Sequence, residues 1–172
     1  MSSDAHAEAL PPVARYADIL ALATSSDPWS PAVEAGIALA ARCGASLTSC
    51  YVDPSLRNVA DPDREPSVPG QLLQPRGEDE GECAAFASHA HRRGVRDACW
   101  VVTDTGIPLT LRVLGASHDL VVIERDIATG AHLFNILDEA MLASRLPCLL
   151  LPPDWREGVA AERVAIGWNG SI

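Results

Sequence analysis

Residues 95–125 read VRDACWVVTDTGIPLTLRVLGASHDLVVIER. An apolar β-type run from Ala98 to Val102 breaks at Thr103-Asp104-Thr105-Gly106, a short amphipathic segment follows, and a second apolar run covers Asp119 to Ile123. That order is a strand, helix, strand unit. Both runs are nearly continuous in apolar residues rather than alternating, as parallel strands covered by helices on both faces require. In an open parallel sheet the ligand crevice lies beyond the carboxyl ends of the strands. A small-molecule site is therefore expected near Thr103 to Gly106 and near Glu124 to Gly130.

Working outward toward the amino terminus, Glu78 to Gly94 opens with acids, ends with Arg92-Arg93 and stops at a glycine. Those charges suit both ends of a helix dipole, and Cys83, Phe86, Ala87 and Ala90 give the apolar face. His89 and His91 are two apart and diverge by about 200° on a helix, so they cannot readily chelate one metal. Before this helix, Asp53 to Gly77 holds five prolines in a run far longer than an ordinary connection, which reads as an irregular surface insertion. Earlier still, Tyr16 to Thr24 is a first strand ending near Ala23. Ser30 with Pro31 opens a helix that Gly44 closes, and Ala45 to Val52 is a second strand. Residues 1–15 read as a loose leader because Pro11-Pro12 stops a helix.

Toward the carboxyl terminus, Leu133, Leu137, Ala140, Met141 and Ser144 fall at helical spacing over Ala131 to Arg145. Pro147 ends that segment, and Cys148 to Leu151 is a fifth strand. Arg163 to Trp168 reads as one further strand with no helix after it. The expected core comprises Ile19, Leu20, Leu22, Ile37, Leu47, Val101, Val102, Leu120, Val121, Val122, Leu137, Met141, Leu149 and Leu150.

A chain of 172 residues with 48% hydrophobic and 21% charged residues fits one or at most two small domains with a sizeable core. The net charge of -10, with no basic block longer than Arg92-Arg93, argues against nucleic acid and anionic membranes as partners. No run approaches the ~18 apolar residues of a membrane span, and the start lacks a basic n-region with an apolar h-region, so a cytoplasmic protein is expected. Five cysteines without a CxxC pair read as reduced thiols of a core rather than a disulfide framework or zinc site.

The order of motifs over about 150 residues resembles the universal stress protein family. Gly106-Ile107-Pro108 resembles the family's G-x-P after the third strand, and Asp119-Leu120-Val121-Val122-Ile123 resembles its D-L-[IV]-V-[MI] fourth strand. Pro147 before an apolar strand ending in Pro152 matches P-V-L-V-V-P, and Thr24-Ser25 stands where the family usually writes D-G-S. Val164 to Ser171 resembles the opening strand and turn of a second such domain. The resemblance implies a five-stranded parallel sheet in the order 3-2-1-4-5 with helices on both faces. It divides the chain into a leader at 1–15, a domain at 16–153, and a linker with the first strand of a truncated second domain at 154–172.

The departures bear on function. Nucleotide-binding members follow the fourth strand with G-x2-G-x9-G-[ST], whose glycines let backbone N–H groups approach phosphates. Here Glu124 and Ile127 stand at the first two glycine positions, Phe134-Asn135 at the last pair, and the loop is about three residues short. Thr24 replaces the first-strand carboxylate. The resemblance thus implies crevice residues Ala23, Thr24, Ser25, Val52, Glu124 and Gly130 but neither ATP nor another cofactor, and a stress-response or ligand-sensing module rather than an enzyme. The alternatives are a nucleotide-binding member, or an enzyme or electron-transfer subunit of the wider adenine-nucleotide-binding superfamily. An apolar-ligand carrier has no positive support in the residues. The fifth strand, apolar and uncharged, would lie at a sheet edge, and self-association into a homodimer through residues 147 to 168 is expected.

Overall fold

The computed structural model describes residues 16–55, 80–103, 105–127, 131–138, 142 and 144–156. The elements are β1 (Asp18–Ala23), α1 (Pro31–Cys43), β2 (Ser46–Val52), α2 (Glu80–Arg92), β3 (Ala98–Thr103), α3 (Ile107–Leu114), β4 (Leu120–Glu124), α4 (Ala131–Asp138) and β5 (Cys148–Leu151). The five strands form one sheet in the order β3-β2-β1-β4-β5, and every pairing is parallel. The leader, most of the insertion, and the run Arg163 to Trp168 lie outside the described residues.

Strand β1 is central because both of its faces are apolar. Ile19, Ala21 and Ala23 belong to one core layer with residues of α1 and α2, including Val33, Ile37 and Phe86. Leu20 and Leu22 belong to the other, with Ile107 and Leu111 of α3 and Ile136 of α4. The two-residue alternation of a strand divides one continuous apolar run between two layers.

Helix α1 lies close on β1 and β2 because its contact face is small: Ala32, Ala35, Gly36 and Ala40 are buried. Its end is set by Gly44, at φ 68°, whose N–H donates to the Ala40 carbonyl. A β-carbon disfavours that left-handed conformation, and glycine has none.

The edges of the sheet differ from the sequence expectation. Val101, Val102 and Leu149 are half-buried and Leu150 is 38% exposed, because in the described sheet β3 and β5 have a strand neighbour on only one side. Trp100 and Leu151 are the buried hydrophobic residues of these two strands. On α4, Ile136 takes the core position at 1% exposure while Leu137 is half-buried. The chain has left the helix before Arg145, whose φ is 53°, so the expected helix does not run to that residue. Met141 lies outside the described residues.

Two glycines test how tightly these layers fit. A β-carbon at Gly36 would stand 3.1 Å from both Ala21 Cβ and Leu47 Cδ1, whereas one at Gly81 would meet nothing within 4 Å. Gly36→Ala is expected to lower stability by about 1–2 kcal/mol, overpacking outweighing the gain of up to about 1 kcal/mol in helix propensity. Gly81→Ala is expected to raise stability by a few tenths to about 1 kcal/mol. Urea midpoints that move in the same direction for both variants would contradict this packing.

Candidate functional site: the crevice between the first and fourth strands

Strand order reverses between β1 and β4, so the switch-point crevice opens at their carboxyl ends. Thr24 follows β1 and Glu124 ends β4. The Glu124 side chain is 6% exposed and turns across the crevice. The Thr24 hydroxyl lies 3.2 and 3.1 Å from its two oxygens, and the Ala32 N–H donates to Oε1 at 3.1 Å. Ala32 is in the first turn of α1, where N–H groups have no intrahelical acceptor and the helix dipole favours a negative charge. The carboxylate therefore acts as an N-cap supplied from a strand 92 residues away in sequence.

Ser30 explains why that place is free. It stands at the cap position of α1 with extended backbone, yet makes no side-chain cap hydrogen bond. Its hydroxyl instead accepts the Thr24 N–H at 3.2 Å. Sequence reading assigned Ser30 the capping role on residue type; the fold gives Ser30 to the end of β1 and Glu124 to the helix.

The other crevice candidates fall as follows. Ala23 and Val52 are fully buried, in different core layers on the two faces of the sheet. Ser25 is half-buried, and its carbonyl accepts the Ser30 N–H. Gly130 lies outside the described residues. Glu82 was not singled out for this region, yet its carboxylate accepts the Ser26 hydroxyl at 2.8 Å and the Trp100 indole N–H at 3.3 Å. With Trp29 edge-on to Phe86 and Trp100, it pins the loop after β1 to α2. At the end of β3, the buried hydroxyls of Thr103, Thr105 and Thr110 lie within 3.0 to 3.2 Å of one another. That cluster fixes the turn into α3.

Two cavities lie at the opposite, amino-terminal ends of β2 and β3. One of about 360 Å³ is bordered by Gly44, Gly94, Arg96 and Asp97, and one of about 310 Å³ by Thr48, His91 and Cys99. Neither includes a crevice residue. His89 pairs with Glu34, and His91 with the Arg96 carbonyl. Among the described residues no group of three or more His, Cys, Asp or Glu side chains could hold a metal ion, and no helix is long and apolar enough to cross a membrane. Cys43, Cys50, Cys83, Cys99 and Cys148 are present as thiols, with no disulfide among them. Burial first, and the nearby Cys99 thiol second, push Cys50 up to about 12. Cys99 itself is exposed, unlike the buried thiols expected.

No family model and no curated protein matches this chain. Among solved structures, a universal stress protein in complex with cAMP is similar over 80% of this chain and 98% of its own, with a TM-score of 0.53 and 16% identity. The fold is that of the universal stress proteins. A protein of that family from Burkholderia pseudomallei is 24% identical over 82% of this chain and 99% of its own, with a TM-score of 0.49. The universal stress protein fold accounts for the strand order 3-2-1-4-5 and places the Thr24–Glu124 contact at its switch point.

Asp119 secures the far end of the same strand pair. Its carboxylate accepts the backbone N–H groups of Ala17 at 2.7 Å and Asp18 at 3.1 Å. These two bonds hold its pKa below the usual aspartate value. A depressed folded-state pKa stabilises above the unfolded value of about 3.9 and loses that effect as pH falls through the folded value. Asp119→Asn should thus lower the melting temperature at pH 7 by only about 1–3 °C, since the site is exposed and screened. The deficit should shrink as the pH falls below about 4. A deficit that is constant from pH 7 to pH 3 would contradict the assignment.

Proposed function

We propose that this chain is a non-catalytic stress-response or ligand-sensing module of the cytoplasm whose crevice does not bind ATP. The observation that carries the reading is the position of Glu124, a buried carboxylate at the switch point that already receives the Ala32 N–H. A triphosphate placed there would meet a negative charge and find that helix-end donor taken. The departures at Ile127 and Phe134-Asn135 from the phosphate-binding pattern point the same way. A non-enzymatic role is supported by Glu124 being the one buried ionisable carboxylate among the described residues, with its carboxylate on the Ala32 N–H and the Thr24 hydroxyl.

Calorimetry with Mg-ATP should show no binding tighter than about 1 mM. Glu124→Gly alone should confer none, since the shortened loop remains. The cAMP of the similar structure makes a second useful titrant, and it too should give no heat of binding. A micromolar constant for either nucleotide would overturn the reading.

Self-association through β5 is the second part of the proposal. In the described sheet β5 is an edge strand, and an open edge presents unpaired N–H and C=O groups to another strand. The exposed large hydrophobic residues of the described surface are Phe134 at 68%, Leu142 at 73% and Leu150 at 38%. Leu150 lies on β5, Leu142 in the segment between α4 and β5, and Phe134 on α4 itself. A two-fold axis pairing β5 with its own copy would continue the sheet and close the assembly as a homodimer. Light scattering at tens of micromolar should return the mass of a dimer, and Leu150→Lys should shift it toward the monomer by placing a charge at the paired edge. A monomeric wild type, or a variant of unchanged mass, would count against this interface.

A further inference from the structure

We propose that Glu124 is an internal ligand: its carboxylate fills an anion seat made by the amino end of α1 and the Thr24 hydroxyl, and so closes the switch-point crevice to anions. This deepens the reading of the crevice above. Three observations converge on it. Glu124 is 6% exposed, with its described polar contacts to the Thr24 hydroxyl and the Ala32 N–H. Ser30, which by position would cap α1, has its hydroxyl on Thr24 N–H instead, leaving the helix end to another acceptor. The three participating elements, β1, β4 and α1, meet at the point where the strand order reverses. A carboxylate reaching that point from the next strand satisfies the same donors that a free anion would satisfy.

The seat has a chemical consequence. While Glu124 occupies it, an anionic ligand must either displace a covalently tethered carboxylate, whose effective concentration is high, or bind elsewhere. The crevice therefore selects neutral or cationic groups. Removing the carboxylate while leaving the donors in place converts the seat into a vacancy for a small monocarboxylate.

Chemical rescue tests this without a nucleotide, so its failure is distinguishable from a failure of the ATP reading. Glu124→Ala should lower the melting temperature by about 3–8 °C through loss of the bond from the Ala32 N–H, which strands a buried backbone donor. Sodium acetate or formate at about 0.3 M should restore at least half of that loss, by the mass action of a ligand that binds only the folded state. Sodium chloride at the same ionic strength should not. The wild type, with its seat filled, and Glu124→Gln, with its seat sterically filled, should gain no more from acetate than from chloride. Should Glu124→Ala be recovered only unfolded, refolding by dilution into acetate against chloride reads the same comparison. Equal effects of acetate and chloride on Glu124→Ala, or a Glu124→Ala variant that melts with the wild type, would overturn the proposal.

Discussion

A carboxylate with 6% of its surface exposed must find hydrogen-bond donors inside the protein. Glu124 finds them in the Thr24 hydroxyl and the Ala32 N–H, and that requirement ties together three elements. The end of β4 must lie beside the end of β1, and α1 must start directly above both. The short side chains on the buried face of α1 allow this close seating: at Gly36 the helix comes near enough to β1 that a methyl group would crowd Ala21. Packing and polar pairing thus fix the same geometry from two directions.

The opposite ends of β1 and β4 are tied in a similar manner. Asp119 accepts the N–H groups of Ala17 and Asp18, while the Asp119 N–H donates to the Asp18 carbonyl at 2.8 Å. The central strand pair therefore has a carboxylate clamp at each end, one exposed and one buried. The exposed clamp works in water and contributes modestly. The buried one carries the larger consequence, because the Ala32 N–H would otherwise be orphaned at a desolvated helix end.

Much of the fold could be read from the chain because it rests on local pattern. Continuous apolar runs at 98–102 and 119–123 place parallel strands, and Pro31 and Gly44 mark a helix start and stop by backbone chemistry alone. What could not be read was set by neighbours distant in sequence. The half-burial of Val101, Val102 and Leu149 follows from edge position, which a strand's own composition does not encode. The choice of Ile136 over Leu137 as the core residue of α4 depends on the rotation of a short helix, and an apolar residue stood at either position. Ser30 carried a strong capping signal, yet its hydroxyl turned to Thr24; the carboxylate that replaced it lies in another strand. Glu124 was legible as a crevice residue and as an obstacle to phosphate, but its pairing with Thr24 and Ala32 needed the fold. Glu82 gave only the signal of an acid in a first helical turn.

The central claim is that the first turn of α1 is capped by Glu124, and amide hydrogen exchange at Ala32 reads it directly. This N–H has no intrahelical acceptor, so its protection depends on the carboxylate. Slow exchange at Ala32 in the wild type, becoming at least about tenfold faster in Glu124→Ala while core amides of β1 stay protected, is the result this account predicts. Fast exchange at Ala32 in the wild type, or protection unchanged by Glu124→Ala, would contradict it.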